Sequence, residues 1–477
     1  MSSIELPITR VIGCRGLALG IAAGILLSGA SRAASIEKPA DARDSNAAFV
    51  AWARSAALRL NTVEPGGEDA DLSPVCGMIG RVPVVALGEA GHGAHEPLAL
   101  RNRLFFHLVE HCGFTAIALE TSFTESRAIY DFVAGGPGDA ADIARRGLTW
   151  GFGKYDENTQ LLQWMRDYNR RAETQQRPGA RRPIHFYGMD LSGADHDGGF
   201  SGAQVAVDSA VHYARTAAPE DSQKLLSELA PLLERMSTAG FAKLAESHDS
   251  SLDSALDALE MFLRTHAAVL QRATTKSEYD WAVHNVIVAR QLRDLLSLGI
   301  DSRASSTILP DDYRMDEVRD AAMASNALWV RREEGKEGRI LVFAHNGHVM
   351  NAPTRGGVWS VYSKPPRTMG QNLRAALGDS LLIVGTVAAH SGGGLPVGDP
   401  LGNSVDEALS RVGLPLFALD LRGAKGHSGA IEWLDERRPL RANFDSELDI
   451  NLREAFDVLV YLDRANPARK SGGSSVH

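Results

Sequence analysis

The chain reads as an α/β protein: a mostly parallel central sheet flanked by helices, with an inserted helical lid subdomain. Three observations predict this. Short, unalternating, β-branched runs recur at 82–87, 115–119, 184–189 and 339–344, the pattern of strands buried on both faces. Segments with apolar residues at helical spacing lie between the first three runs, as parallel strands require of their crossovers. From about 203 to 305 the strand signals give way to long amphipathic helices. The expected division is therefore a leader at 1–33, a core in two parts at 34–202 and 306–465, the insertion at 203–305, and a polar, disordered tail at 466–477.

The leader is compositionally distinct. Arg10 and Arg15 precede an apolar run over 16–27, and Ser31-Arg32-Ala33 offers small residues at the two positions a signal peptidase reads. The run is shorter than the ~20 residues of a spanning helix. A secretory signal cut after about Ala33 follows, with a periplasmic or secreted product and no stable membrane insertion after cleavage. No adjacent arginine pair and no cysteine just past the apolar run point to twin-arginine export or a lipid anchor. Cleavage removes Cys14. Cys76 and Cys112 remain, either paired in an oxidising compartment or kept as two buried thiols.

In the core, a helix is expected over 47–60 before the first strand. That strand ends in the glycine-rich turn Gly88-Glu89-Ala90-Gly91-His92-Gly93-Ala94-His95-Glu96. The next helix, 97–112, has Pro97 suited to its first turn and Gly113 just past its end. The second strand closes on Glu120. Helices over 124–133 and 157–171 follow, the latter with Leu161, Leu162, Trp164, Met165 and Tyr168 on its apolar side, and the third strand closes on Asp190. In the insertion, Leu252, Leu256, Leu259 and Leu263 mark one helical face, and 279–298 continues the pattern. After a helix over 315–332, the strand 339–344 runs into His345-Asn346-Gly347-His348. Later strands are expected at 381–385, 416–420 and 456–461.

With 477 residues, 44% hydrophobic and 23% charged, the chain can bury a large core, and a net charge of −9 without a basic patch argues against nucleic-acid binding. No repeat at solenoid periods is present. Oligomeric state leaves no signature.

Ligands of open α/β sheets bind outside the carboxyl ends of the strands. Four such ends carry Glu89 with His92, Glu120, Asp190, and His345 with His348. Arg101 has Pro97, Leu98, Leu104 and Phe105 as its helical neighbours, so its charge needs a carboxylate, Glu89 or Glu120. Arg103 sits among apolar neighbours too, and one of the two arginines is expected to face water. The glycine-rich turn fits neither a dinucleotide fingerprint nor a P-loop, and no Gly-x-Ser-x-Gly elbow exists.

Taken together, Gly88-Glu89-x-x-His92-Gly93-x-x-Glu96, Arg101, Ala118-Leu119-Glu120 and Phe343-Ala344-His345-Asn346-Gly347-His348 resemble the erythromycin esterase family, whose fold is similar to the ChaN/TraB superfamily. The resemblance runs from about Val82 to the C-terminus and includes the strand end Tyr187-Gly188-Met189-Asp190. It implies an esterase that opens a macrolactone, as in inactivation of a macrolide antibiotic and resistance to it, or that cleaves another ester. By resemblance His92 is the general base, surrounded by Glu89, Arg101, Glu120, His345 and His348.

The residue types suit that chemistry. An imidazole with a pKa near ~6.5 removes a proton from water, and a carboxylate fixes its tautomer. Arg101 or a protonated His345 would stabilise the oxyanion. His348 would position substrate or protonate the leaving alkoxide. Asp190 lies at the substrate edge, although it and Glu96 also suit a cap or a loop brace. Two rivals share the crevice: a metal-dependent hydrolase holding a divalent ion on Glu89, His92, Glu120 and His345, and a secreted binding protein without catalysis. Arg101 beside the carboxylates disfavours a second cation, so no cofactor is expected.

Two further patterns are expected to be inert. His107-Leu108-Val109-Glu110-His111 matches an inverzincin motif but falls in the last turns of a helix, where histidines are favoured electrostatically. Asp195-His196-Asp197 lies in a glycine-rich loop and reads as a solvated turn.

Overall fold

The computed structural model describes residues 40–174, 182–194, 199–235, 240–299, 308–395, 399–443 and 446–471. Its strands are β1 (Leu58–Arg59), β2 (Val84–Glu89), β3 (Ala116–Ser122), β4 (His185–Asp190), β5 (Ile340–His345), β6 (Leu381–Ser391), β7 (Leu416–Asp420), β8 (Arg438–Ala442), β9 (Ser446–Ile450) and β10 (Val458–Ala465). Eight of them form one sheet in the order β1-β7-β10-β6-β2-β5-β3-β4, and β8 pairs with β9 in a separate hairpin. From β10 to β4 every pairing is parallel; β7 and β1 are antiparallel additions at one edge.

Both faces of this sheet are covered, which explains the unalternating strand sequences. Val84, Ala86, Ala118 and Val342 enter one core, while Val85, Leu87, Leu119 and Phe343 enter the other. Helix His95–Cys112 packs on the second face. It ends at Gly113, whose φ of 74° is the left-handed conformation expected past a helix end.

The register brings the strand ends together. Glu89 lies opposite His345, and Leu119 opposite Phe343, so Glu120 falls one residue beyond, beside Ala344, where its carboxylate accepts the His345 N–H. Asp190 pairs with Ser122 after a shift of register in β3. Gly88 is required at this edge: a Cβ there would meet Asn346 Oδ1 at 2.1 Å. The Asn346 amide occupies that space to donate to the Thr386 carbonyl at 2.7 Å, tying the turn after β5 to β6.

Between β4 and β5, ahead of helix Tyr313–Glu333, lie the helices Val205–Ala217, Pro219–Arg235, Gly240–Glu246, Ser250–Thr265, Ala267–Ala273 and Lys276–Leu296. The last begins with a capping box between Thr275 and Glu278. It is built into the core, with Trp281 stacked on Tyr187 of β4 at 5.9 Å and edge-on to Trp329 at 5.5 Å.

Several elements differ from expectation. β6 continues to Ser391 because it stays paired with β10 over that length. The β8–β9 hairpin was not expected, since Ser446 takes an inward position and the arginines of β8 blur its alternation. Cys76 and Cys112 form a disulfide, closing the alternative of free thiols. Arg103 is buried like Arg101 rather than facing water, because the segment around Asp71 folds over it and accepts at 2.5 Å. The segment after β10, expected to lack order, is laid over the β2 turn as far as Ser471: the His95 N–H donates to the Asn466 carbonyl and the Ala468 N–H to the Gly93 carbonyl, each at 2.8 Å. Glu96 braces this contact by accepting from Asn466 at 2.6 Å.

Among the described residues no helix is long and apolar enough to cross a membrane. The expected signal at 1–33 and the Asp195-His196-Asp197 turn lie outside the described residues.

Candidate active site

The turn after β2 returns His92 toward its own strand end, where its Nδ1 meets Glu89 Oε2 at 2.7 Å. A carboxylate only accepts, so Nδ1 carries the proton of a neutral ring and Nε2 is left as the basic lone pair. Nε2 faces Glu120 Oε1 at 3.9 Å, too far for a direct hydrogen bond. Burial lowers the affinity of His92 for a proton, but the charges of Glu120 and Glu89 outweigh it and the pKa ends above the ordinary 6.5. His92 is therefore a stronger base than a solvated imidazole.

Glu120 is held from three sides. Its Oε2 accepts the His345 backbone N–H at 2.9 Å, and its Oε1 accepts from Arg319 at 2.9 Å and lies 3.4 Å from His348 Nε2. Burial would raise its pKa, yet His348, His92 and Arg319 hold it well below the usual carboxylate range.

His345 and His348 have opposite states. His345 Nδ1 accepts from the Gly347 N–H at 3.1 Å, so the proton of the neutral ring sits on Nε2, which is buried without a partner among the described residues. Burial first, and then the charges of His92 and His348, keep the pKa of His345 well below 6.5. The expectation of a protonated His345 is thus corrected: it is a neutral donor. His348 donates from Nδ1 to Asp320 at 2.5 Å, and against the effect of burial Asp320 and Glu120 raise its pKa to about 10. It is a fixed cation at neutral pH.

Arg101 does not pair with Glu89 or Glu120. It is fully buried, donates to Asn102 Oδ1 at 2.7 Å and lies 5.0 Å over the Phe343 ring. Burial lowers its pKa to about 10, and it lines one pocket with Glu89, Glu120, Tyr155 and Phe152. The cation that binds Glu120 is instead Arg319, from helix Tyr313–Glu333. Asp190 is its anchor rather than a contact for substrate: fully buried, it accepts from Arg319 at 2.6 Å, from the Trp150 indole at 3.0 Å and from the Leu191 N–H at 2.7 Å.

Sequence reasoning missed Arg319, Asp320, Trp150 and Phe152, whose ring lies 5.2 Å from that of His92. A signal existed for the first two. Asp316, Arg319 and Asp320 fall on one helical face together with the apolar Met323, where charges need partners.

The proposed ligand set for an ion in the crevice does not assemble. Among the described residues, no three of Glu89, His92, Glu120 and His345 place donor atoms close enough together to share one ion. Glu89 Oε2 is engaged by His92, and Glu120 by Arg319 and a backbone N–H.

The erythromycin esterase sequence profile matches residues 109–465, which include Glu120, Asp190, Arg319, His345 and His348; Glu89, His92 and Arg101 precede the matched range. The chain is 25% identical over 354 residues to erythromycin esterase type II of Escherichia coli, covering 72% of this chain and 78% of that protein. Its fold is similar to that of a Bacillus cereus protein, with a TM-score of 0.71, 24% identity and coverage of 89% and 98% of the two chains. It is also similar to an erythromycin esterase EreC mutant in its open conformation, with a TM-score of 0.61, 18% identity and coverage of 85% and 97%. With three-quarters of the chain matched by the profile, and with the carboxylates and histidines of three strand ends inside the match, this chain belongs to the erythromycin esterase family of hydrolases.

Proposed function

We propose that the protein hydrolyses an ester bond, a macrolactone of the erythromycin type being the first candidate, by water activated on His92 without a metal ion. The observation that carries this reading is the Glu89–His92 pair with its Nε2 turned toward Glu120, beside the His345 Nε2–H that has no partner among the described residues. A water between His92 and Glu120 gives its proton to Nε2 as its oxygen attacks the carbonyl carbon. The carbonyl oxygen becomes an oxyanion and accepts from His345 Nε2–H, with the charge of Arg101 in the pocket that Glu89 and Glu120 line. Collapse expels the alkoxide, which takes the proton back from His92, and the products are a carboxylic acid and an alcohol. Aromatic Phe152 and Tyr155 suit the pocket wall to an apolar substrate.

The macrolide is supported by the similarity to the Escherichia coli enzyme, and resistance to a macrolide would be the consequence. Export to the periplasm or beyond is part of the proposal. The Cys76–Cys112 disulfide supports it, since such bonds persist in oxidising compartments.

The test is incubation of the purified protein with erythromycin, with and without a chelator, followed by mass spectrometry, with His92→Ala as the control. Gain of one water, lost in the variant and unchanged by chelator, is expected. Chelator sensitivity would replace this mechanism by a metal-dependent one, and an unchanged mass would redirect the substrate to other esters and lactones.

A further inference from the structure

The inverzincin-like pattern set aside in the sequence has a partner that the sequence does not show. His107 and His111, one turn apart on helix His95–Cys112, both converge on Asp69 from the preceding loop: Asp69 Oδ2 lies 2.7 Å from His107 Nδ1 and 3.2 Å from His111 Nε2. The two rings are 4.6 Å apart. We propose that Asp69, His107 and His111 form a binding site for a late first-row divalent cation such as Zn²⁺, separate from the reaction crevice.

The donor set and its spacing carry the proposal. Two imidazoles and one carboxylate suit zinc and its neighbours. With zinc–ligand bonds of ~2.0–2.1 Å, neighbouring donors of a tetrahedral site stand ~3.3 Å apart, so an ion takes the place of the two ring protons facing Asp69, each of which shifts to the other nitrogen of its imidazole, with only a small opening. Donors from all three residues lie within 4.8 Å of one another. His107 is buried, while the Asp69 and His111 side chains are 42% and 51% exposed, which leaves a path for the ion and room for a water as fourth ligand.

The site is also held in place before any ion binds. One turn earlier on the same helix, Arg103 fixes the loop by pairing with Asp71 at 2.5 Å and donating to the Glu68 carbonyl at 3.0 Å, on either side of Asp69. The disulfide pins the helix end at Cys112, and Cys76 Sγ lies 3.8 Å from His107 Nε2. Little ordering remains to oppose binding. Twelve residues of helix separate His107 from His95 at the crevice end, about 18 Å at ~1.5 Å per residue. An ion here would staple the loop to the helix and take no part in hydrolysis.

Cobalt is the spectroscopic probe. The metal-free protein, disulfide intact, is titrated with Co²⁺ and the visible d–d bands are followed, with Zn²⁺ as competitor. Saturation at one equivalent is expected, displaced by Zn²⁺, retained in His92→Ala, and weakened at least tenfold in His111→Ala and in Asp69→Asn. His111 is half exposed, so its variant should melt at the wild-type temperature without metal while losing the rise in melting temperature that Zn²⁺ gives the wild type. Absence of saturable binding, binding undiminished in His111→Ala, binding abolished by His92→Ala, or a thiolate charge-transfer band in the near ultraviolet would each overturn the assignment.

Discussion

Arg319 donates to Glu120 at 2.9 Å while the same terminal nitrogen donates to Asp190 at 2.6 Å, so one guanidinium locks two strand ends into a single charged edge. Its planar fork reaches both carboxylates and also covers the Trp150 ring at 5.0 Å. Removing it leaves buried Asp190 without its cation and Glu120 with only the histidines beside it. Arg319→Met should therefore cost about 3–5 kcal/mol of stability, read from urea unfolding, and Arg319→Lys should recover only part of that. Wild-type stability in Arg319→Met would show that Glu120 and Asp190 do not depend on it.

The Glu89–His92 pair predicts a pH profile. A base must be unprotonated to act, so activity appears as pH rises through the His92 pKa, which Glu120 and Glu89 place above 6.5 despite burial. In Glu89→Gln one of those charges is gone. The acid limb of kcat/KM should then move to lower pH while the plateau falls by about tenfold or more, and His92→Ala should lose ~10²–10⁴. A Glu89→Gln profile that keeps the wild-type inflection would separate Glu89 from the titration.

His348 links folding to pH in the opposite sense to Glu120, whose carboxyl is held below its ordinary range. Its folded pKa is raised to about 10 from an unfolded value of 6.5, so its stabilisation is complete below pH 6.5 and is lost as pH rises toward 10. The unfolding midpoint should fall over that window, by an amount on the order of a few kcal/mol in free energy. In His348→Gln the decline should flatten, and an equal decline in wild type and variant would assign it to other groups.

Reduction of Cys76–Cys112 opens a loop with a sequence separation of 36. The Cys76→Ser/Cys112→Ser double variant should be less stable by about 2–4 kcal/mol. Hydrolysis well below the melting temperature should be unchanged, because the bond lies at the end of helix His95–Cys112 opposite the crevice. A large loss of kcat in the folded double variant would contradict that separation.

Much of the fold was legible because local pattern and burial agree. The runs at 82–87 and 340–344 are apolar on both faces, and only a strand inside a covered parallel sheet needs that composition. Glu89, His92, Glu120 and His345 were legible for a related reason: polar residues at the end of such a run mark the edge where ligands bind. The β8–β9 hairpin escaped because Ser446 fills an inward position, so its hydrophobic alternation is broken at the strand start.

What the sequence by itself determined is the list of groups at the strand ends and the class of chemistry they support. Which cation meets which carboxylate was decided only by the tertiary structure. Arg101 is 19 residues from Glu120 in sequence, and Arg319 is 199 away; yet the helix leading into β5 delivers Arg319 to Glu120 and Asp190, while Arg101 turns to Asn102 and Phe343. Asp69 meeting His107 and His111 is the same kind of fact. Charge pairing acts through space, over a few ångströms, and sequence distance carries no information about it until the chain has folded.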